Sequence, residues 1–273
     1  MKIKVTCVQM EPKLNNVKYN LEKMVTFINE IMEKDSKTDL IVFPELITSG
    51  YECGNKFKEL AEVVESSNSI KVISELAKKF GTNIVYGFPE KDGVLKDVLY
   101  NSSVCIDSNG RVAGVYRKVH LFDTEKRYFK AGCDFPIFKT SFGKIGVMIC
   151  WDTAFPEVAR TYCLKGAELL VVNTNWEKPY SDDWDLVTRA RAFDNCMYLV
   201  GANRIGQDKE LGFFGHSKIV DPVGRPLKEL NDEIEGIISG EIDLELPRKL
   251  RSEYYTLFQD RRPELYKEII KEY

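Results

Sequence analysis

The chain has 273 residues, of which 44% are hydrophobic and 30% are charged, and its formal net charge is −3. A chain of this length buries roughly 75% of its unfolded surface, so length and composition exclude a disordered protein and a disulfide miniature. No long run of Lys and Arg is present, which argues against nucleic acid as a main partner. The apolar runs are far shorter than the about 20 residues that cross a bilayer, so we expect no membrane segment.

The seven cysteines and two histidines limit the cellular compartments and the kinds of catalytic site that fit this sequence. The number of cysteines is odd and no two form a C-x-x-C pair, a pattern typical of a reducing compartment rather than of a disulfide framework or a zinc ribbon. We therefore expect a cytoplasmic protein. Because His120 and His216 are the only histidines, the chain offers few residues for a histidine base or a histidine-rich metal site. We expect neither a metal nor another cofactor.

Strand-like and helix-like patterns alternate from one end of the chain to the other. The patterns predict strands at residues 2–10, 40–43, 83–88, 100–107, 111–116, 144–149, 169–173, 197–203, 216–220 and 236–242. They predict helices after Asn15 or Asn16, at 69–80, at 156–165 and around 183–195. No linker or repeat divides the chain, so we predict one α/β domain over residues 1–273 with a polar and aromatic tail at 244–273.

Several common catalytic scaffolds are missing from the sequence. No G-x-G-x-x-G follows a strand and no P-loop pattern is present, which argues against dinucleotide and P-loop sites. The segment Gly215-His216-Ser217 lacks the second glycine of a serine-hydrolase elbow, because position 219 is Ile. Neither histidine has the local sequence of a papain-like cysteine protease.

Glu45, Lys118 and Cys150 each stand at the end of an apolar, strand-like segment. Ligands in α/β sheets gather at the carboxyl ends of strands, so these three side chains can meet in one pocket. Each also has an ordinary explanation when taken singly. The cysteine can be a small buried hydrophobe, the glutamate a helix N-terminal charge and the lysine a solvated surface group.

Together the three residue types supply the chemistry that hydrolyses a carbon–nitrogen bond through a covalent intermediate. A thiolate is a strong nucleophile, and a nearby lysine favours the thiolate and donates a hydrogen bond to a tetrahedral oxyanion. A glutamate takes the thiol proton, passes it to the leaving amine and later activates water. No histidine is required.

The local sequences around these residues resemble the nitrilase superfamily of carbon–nitrogen hydrolases. Residues 43–46 (FPEL), 116–121 (YRKVHL) and 146–152 (GVMICWD) are similar, in this order, to its glutamate, lysine and cysteine motifs. Further similarities extend over nearly the whole chain, at Gln9, 189–192, Asn195, 215–217, 221–222 and 260–266.

The resemblance implies a role for each of four residues. It makes Glu45 the general base, Lys118 the oxyanion stabiliser and proton donor, and Cys150 the nucleophile. Residues 125–132 (EKRYFKAG) are similar to the family segment that bears a second essential glutamate, which we place at Glu125. Such a carboxylate holds the lysine ammonium in position and helps to keep it charged. The alternative interpretation is that Glu125 is an ordinary glutamate on a surface helix.

The resemblance also implies the fold and the assembly. The family fold is a four-layer α-β-β-α sandwich, and pairs of subunits extend it to eight layers. We therefore expect a homodimer or a higher homo-oligomer, with the tail at 244–273 in subunit contacts. The alternative for the tail is docking on the body of its own chain.

Three positions depart from common family patterns. Ala131 stands where many relatives have proline, and Asp194 where many have glutamate; neither change touches the triad. Asp152 follows Cys150-Trp151, as in amidase and carbamoylase branches, whereas true nitrilases usually have glutamate there. This favours amide over nitrile hydrolysis.

We expect Tyr51, Trp151 and Trp176 to line the substrate pocket, with the backbone N–H of Trp151 as a second oxyanion donor. The expected partner is a small molecule. A small aliphatic amide is the first candidate, an N-carbamoyl amine or amino acid the second and a nitrile the third. Nearby Glu177, Asp182 and Asp183 suit an amine-bearing substrate, although acidic clusters are usually solvated surface.

Two alternative functions from other classes of protein remain. The first is a catalytically silent interaction protein on the same fold, against which the intact Glu45, Lys118 and Cys150 argue. The second is a metal-dependent amidohydrolase, which would lose its activity to chelators.

Overall fold

Two six-stranded β-sheets form the centre of the computed structural model, which describes residues 1–272. The strands are β1 Lys2–Gln9, β2 Leu40–Val42, β3 Asn83–Lys91, β4 Leu99–Ile106, β5 Val112–Arg117, β6 Ile137–Thr140, β7 Gly143–Ile149, β8 Leu169–Thr174, β9 Leu199–Asn203, β10 Ile205–Gln207, β11 Gly212–Phe214, β12 Lys218–Val220, β13 Pro226–Glu229 and β14 Gly236–Asp243. The α-helices are α1 Val17–Lys34, α2 Phe57–Leu60, α3 Asn68–Phe80, α4 Pro156–Leu164, α5 Ser181–Asn195 and α6 Glu245–Glu253.

The two large sheets share one plan, in which three parallel strands are flanked by antiparallel ones. The first sheet has the order β14-β1-β2-β3-β4-β5, and β1, β2 and β3 are parallel. The second has the order β13-β12-β9-β8-β7-β6, and β7, β8 and β9 are parallel. Two successive antiparallel pairings lead from β3 to β5, so β5 runs in the same direction as β3. The carboxyl ends of β2 and β5 therefore lie along one edge of the first sheet.

Helices cover the outer face of each sheet and give four layers in the order α-β-β-α. Apolar side chains of α1 and α3, such as Met24 and Ile73, pack against the first sheet. Tyr162 of α4 and Trp184 of α5 pack against the second. The space between the sheets is filled by apolar side chains that include Val5, Val42, Val85, Val147 and Val171. The predicted four-layer sandwich is confirmed.

Local sequence signals set the ends of the helices. The Asn16 side chain accepts a hydrogen bond of 3.1 Å from the N–H of Tyr19 and begins α1, and Ser67 caps α3 through the N–H of Ile70 at 3.0 Å. Helix α3 ends at Phe80 and is capped by Gly81, whose φ of +67° is a conformation that glycine adopts without strain. These signals explain why the predicted helix at 69–80 agrees with the structure.

The predicted strand at 216–220 begins two residues late in the structure. His216 has a φ of +56°, which an extended strand does not accommodate, so β12 starts at Lys218. The short strands β6, β10, β11 and β13 and the short helix α2 were not predicted, because each is too short to show a clear periodic pattern. Helix α6 was not predicted either, because the segment after Leu244 was interpreted as a polar and aromatic tail.

The described part of the tail, residues 244–272, lies partly against the body of its own chain. Phe258 packs on the core, and the guanidinium groups of Arg160 and Arg251 stack on its ring. Tyr254 and Ile270 stay exposed. A role of this segment in subunit contacts stays a prediction. Within residues 1–272, no helix combines the length and the apolar composition that a bilayer span requires.

Candidate active site

Glu45 follows β2 and is completely buried between the two sheets. Its Oε1 accepts hydrogen bonds from Asn101 Nδ2 at 2.7 Å and Lys118 Nζ at 2.9 Å, and its Oε2 accepts one from the N–H of Asn175 at 2.8 Å. Strand β3 passes so close that a Cβ at Gly87 would lie 2.6 Å from the Glu45 Cα, so only glycine fits there. The carboxylate is therefore held from both sheets.

Lys118 directly follows β5, and its buried ammonium lies between two carboxylates. Its Nζ donates to Glu45 Oε1 at 2.9 Å and to Glu125 Oε1 at 2.7 Å. Glu125 belongs to a short 3₁₀ helix, Asp123–Arg127, and also accepts a hydrogen bond from the Tyr51 hydroxyl at 2.8 Å. The four side chains form one connected network, in which an ammonium fixes the positions of two acids.

Burial and charge act in opposite directions on the protonation of this network. Burial alone lowers the pKa of Lys118, but the charges of Glu125 and Glu45 hold it well above its ordinary value, so the ammonium stays charged. Burial raises the pKa of Glu125 to about 7; the Glu45 charge adds to this rise and Lys118 opposes it. The charged form of Glu125 therefore depends on the Lys118 ammonium, which opposes the effect of burial.

Cys150 is the first residue after β7 and begins the 3₁₀ helix Cys150–Ala154. Its φ is +46°, an unusual conformation for a residue with a Cβ. Burial raises the pKa of its thiol far above the ordinary value, and the Glu45 charge adds to this rise, whereas Lys118 opposes it. Lys118 thus acts in the expected direction, but burial outweighs it. Burial therefore favours the thiol form of Cys150.

Asp152 ties the segment after β5 to the segment after β7. Its Oδ1 accepts a hydrogen bond from the N–H of His120 at 3.0 Å, and its Oδ2 accepts from the Tyr116 hydroxyl at 2.7 Å and the N–H of Ile149 at 3.0 Å. The His120 ring stacks on Phe155 with centroids 3.8 Å apart. The buried carboxylate therefore links the backbone beside Lys118 to the backbone beside Cys150.

Cys150 lines a cavity of about 240 Å³. The walls are mainly aromatic, formed by Tyr51, Phe122, Trp151, Trp176 and Tyr180. Besides Cys150, the lining includes the polar side chains of Asn175, Glu177 and Asp183. A small, largely apolar cavity with few polar groups is typical of a small-molecule site.

The structure brings all seven residues of the predicted site into one region. Glu45, Lys118 and Glu125 form the buried network, whereas the others line the cavity, namely Cys150, Tyr51, Trp151 and Trp176. Of the departures from the family pattern, Ala131 is exposed. Asp194 pairs with Arg191, whose Nε donates to the Thr153 carbonyl.

The sequence analysis missed Asp208, which positions the loop that carries Tyr51. Its Oδ2 accepts hydrogen bonds from the N–H groups of Tyr51 at 2.8 Å and Glu52 at 3.0 Å. Its Oδ1 pairs with buried Arg204 at 2.9 Å, and the guanidinium lies 4.2 Å from the centroid of the Phe213 ring. The only local signal is an Arg and an Asp four residues apart, which says nothing about Tyr51.

Within residues 1–272, one group of side chains has the geometry of possible metal ligands. The ligand atoms of Asp185, His216 and Glu229 lie within 4.8 Å of one another. The Lys218 ammonium forms ion pairs with both of these carboxylates. An ammonium therefore already supplies the positive charge that a metal ion would bring.

The comparison with protein families gives the family of this chain. A sequence model of the carbon-nitrogen hydrolase family matches residues 4–252. The chain belongs to the carbon–nitrogen hydrolase family. As a member of the nitrilase superfamily, it is a carbon–nitrogen hydrolase with the fold described above.

Named relatives and a solved structure match this carbon–nitrogen hydrolase over nearly its full length. It is 60% identical to the probable nitrilase C965.09 of Schizosaccharomyces pombe, with 99% of each chain covered. It is 36% identical to the 2-oxoglutaramate amidase of Bacillus subtilis, with 97% of this chain and 100% of the relative covered. The crystal structure of a carbon-nitrogen hydrolase from Helicobacter pylori G27 matches with a TM-score of 0.92 and 31% identity, with 99% of each chain covered.

Proposed function

We propose that this hydrolase cleaves a small linear aliphatic amide to a carboxylate and ammonia through a thioester on Cys150. The observation that carries the proposal is the Lys118 ammonium, which is buried between Glu45 and Glu125 next to a cavity lined by Cys150. This arrangement supplies a base, a fixed cation and a nucleophile in one place.

In the first half-reaction, Glu45 takes the Cys150 thiol proton and the sulfur attacks the amide carbon. Lys118 Nζ and the N–H of Trp151 donate hydrogen bonds to the oxyanion, and losing one such donor typically costs ~3–4 kcal/mol of transition-state stabilisation. Glu45 then protonates the departing nitrogen as the carbon–nitrogen bond breaks. The products are a thioester on Cys150 and free ammonia.

In the second half-reaction, Glu45 takes a proton from water and the resulting hydroxide attacks the thioester carbonyl. The same donors hold the second oxyanion. Its collapse breaks the carbon–sulfur bond, releases the carboxylic acid and returns the proton from Glu45 to the Cys150 sulfur. Glu125 does not touch the reacting atoms; it holds the Lys118 ammonium at 2.7 Å and is a positioning residue.

A small amide is the first candidate substrate because the cavity is only about 240 Å³. The name of the Bacillus subtilis relative, 2-oxoglutaramate amidase, agrees with that class. An N-carbamoyl amine or amino acid is the second candidate, since Asp152 after Cys150 is typical of amidase and carbamoylase branches. A nitrile remains third.

Ammonia release from short amides, N-carbamoyl compounds and aliphatic nitriles tests the proposal. The Cys150→Ala variant should lose at least about 10⁴-fold in kcat, because removal of a nucleophile that acts with its base disables the whole unit. Cys133→Ala is the matched control, since Cys133 is exposed and should not matter. Turnover that persists in Cys150→Ala would contradict the mechanism, and no turnover of any compound would favour the silent interaction protein. The result should not change with chelators.

We also propose that the protein is cytoplasmic and acts as a homodimer. Seven free cysteines support a reducing compartment. The exposed apolar residues of the tail, among them Leu265 and Ile269, support a subunit interface that includes this segment. Light scattering of the full chain should give twice the mass of 31.4 kDa, and a strictly monomeric protein would contradict the dimer.

A further inference from the structure

Strand β8 ends at Thr174, next to the residue that we propose as the nucleophile at the end of β7. Ile149 pairs with Asn173 in the parallel register of the two strands, so Cys150 and Thr174 are the next residues on adjacent strands. Neighbouring strands lie about 4.8 Å apart. Both residues are buried, Thr174 completely. Thr174 therefore lies beside Cys150 at the carboxyl ends of the strands, where ligands bind in α/β sheets.

The buried Thr174 hydroxyl has no hydrogen-bond partner among residues 1–272. Polar side chains beside it already have partners of their own. The Asn173 side chain accepts a hydrogen bond from the Ser103 hydroxyl at 2.7 Å. Asn203, which pairs with Thr174 on β9, accepts one from the N–H of Trp176 at 2.9 Å. Burial of an unpaired hydroxyl costs free energy, and an acceptor that forms next to Thr174 would recover it.

The Cys150 sulfur becomes such an acceptor when it loses its proton, because a thiolate accepts a hydrogen bond much more strongly than a thiol. Burial raises the pKa of the Cys150 thiol, and the charges of Glu45 and Glu125 add to this rise. Lys118 and the Thr174 hydroxyl lower that pKa, the hydroxyl through a hydrogen bond to the charged sulfur. Lys118 is already bound by two carboxylates. Within the described chain, Thr174 is the donor that has no other acceptor to serve.

Resting on the proposed function, we propose that Thr174 is a further catalytic residue, whose hydroxyl donates a hydrogen bond to the Cys150 sulfur while the sulfur carries negative charge. The sulfur gains negative charge twice in the reaction. It does so when Glu45 removes the thiol proton, and again when the carbon–sulfur bond of the thioester breaks. Thr174 transfers no proton, so the exchange of the proton between Glu45 and Cys150 stays as described above.

Two substitutions separate the Thr174 hydroxyl from the packing of its side chain. Thr174→Val keeps the shape and removes the hydroxyl, whereas Thr174→Ser keeps the hydroxyl and removes a methyl group. A hydrogen bond to a charged group is lost only in Thr174→Val, so kcat/KM for a hydrolysed amide should fall at least about tenfold there. Thr174→Ser should stay within about threefold of the wild type, because the donor is still present.

The stability of the two variants should follow the opposite order. Thr174→Val removes an unpaired buried hydroxyl, so it should unfold at the same urea concentration as the wild type or at a higher one. Thr174→Ser leaves a small void and should unfold at a lower urea concentration. Thr82→Val is the matched control, since Thr82 is also completely buried with an unpaired hydroxyl but lies just before β3. Its activity should equal that of the wild type.

Alkylation of Cys150 by iodoacetamide tests the hydrogen bond without any substrate. The reagent is a small amide that suits the cavity of about 240 Å³, and mass spectrometry of the Cys150 peptide follows the reaction, with exposed Cys133 as the internal reference. In Thr174→Val the rate constant at a fixed pH should fall about threefold, because the thiolate becomes rarer while its intrinsic nucleophilicity rises. Alkylation of Cys133 should not change, and Thr174→Ser should behave like the wild type.

The outcomes that would overturn this inference differ from those that would overturn the proposed function. If Cys150 is alkylated in Thr174→Val at the wild-type rate, or if Thr174→Ser loses as much activity as Thr174→Val, the role of the hydroxyl is wrong. Amide turnover that requires Cys150 would then still support the proposed function. If the wild type hydrolyses no amide, the proposed function fails. Slower alkylation in Thr174→Val but not in Thr174→Ser would even then support the hydrogen bond to the Cys150 sulfur.

Discussion

Two buried lysines in this molecule are each bound by two carboxylates, yet their surroundings differ. Lys118 lies between Glu45 and Glu125, and these three side chains are 0%, 0% and 3% exposed. Lys218 is 1% exposed, but its partner Asp185 is 42% exposed. The first cluster is connected to the cavity lined by Cys150, because Asn175 and Tyr51 line that cavity and donate hydrogen bonds to Glu45 and Glu125.

The difference shows what makes one cluster suited to chemistry. Water reaches Asp185 and screens its charge, so the Lys218 cluster neutralises charge and joins α5 to β12 and β13. The Lys118 cluster is almost completely buried, and its charges act strongly on the adjacent thiol. Composition alone does not separate the two clusters; burial and the neighbouring cavity do.

Replacing Lys118 or Lys218 by methionine should give the largest difference between the two clusters in activity and in stability. Lys118→Met leaves two buried carboxylates without a counter-charge, so we expect at least about a 10³-fold loss of kcat/KM and destabilisation by about 3–5 kcal/mol. Lys218→Met should cost only about 1–2 kcal/mol, because water compensates its exposed partner, and should leave kcat within about threefold. Urea unfolding and amide turnover measure both effects. Equal losses of activity would remove the distinction between the clusters.

Glu125→Gln should lower the activity by an intermediate amount. The variant keeps the shape but weakens the hold on Lys118, and we expect a loss of about 10²-fold in kcat. In the wild type, activity should rise with pH through about 7 as Glu125 ionises, and this limb should disappear in the variant. A pH–rate profile checks this, and an unchanged limb would assign the titration to another group.

The same group predicts the sign of a stability change. The pKa of Glu125 is about 7 in the folded protein against an ordinary 4.5, so the folded state holds the proton more tightly. Its contribution to stability is present below pH 4.5 and is lost as the pH rises through 7. Wild-type protein should therefore lose stability relative to Glu125→Gln over this interval, as measured by urea unfolding at pH 5 and pH 8.

How far the sequence predicted the site depends on the separation of the partners along the chain. Glu45 and Cys150 were found because each ends an apolar strand, a local signal. The contacts that hold Glu45 were not found, because Asn101 and Asn175 lie 56 and 130 residues away. Asp208 is 157 residues from Tyr51. Such pairings follow from the packing of one sheet on the other and have no local signature.

In the fold, too, features with a local sequence signal were predicted and features without one were not. Long strands and helices with clear periodicity, such as α3, agree with their predicted ranges. The four-layer arrangement came from the resemblance of the motifs, since alternation of elements indicated only an α/β protein. The start of β12 at Lys218 depended on the backbone of His216, which no pattern in the sequence predicts.

Tyr51→Phe should have the smallest effect. It removes one hydrogen bond of 2.8 Å to Glu125 Oε1 and leaves the Lys118 contacts in place. A net loss of about 1 kcal/mol corresponds to roughly fivefold in kcat/KM. Steady-state kinetics measure it, and a loss as large as that of Lys118→Met would show that the hydroxyl acts on the reacting atoms.

Mass spectrometry of the rapidly quenched enzyme tests the central claim most directly. During turnover of a hydrolysed amide, the account predicts an added mass equal to the acyl group on the peptide that contains Cys150. The adduct should be absent from exposed Cys133 and from the Cys150→Ala variant, and it should disappear once the substrate is consumed. Acylation at Cys133, or full turnover by Cys150→Ala, would contradict the account.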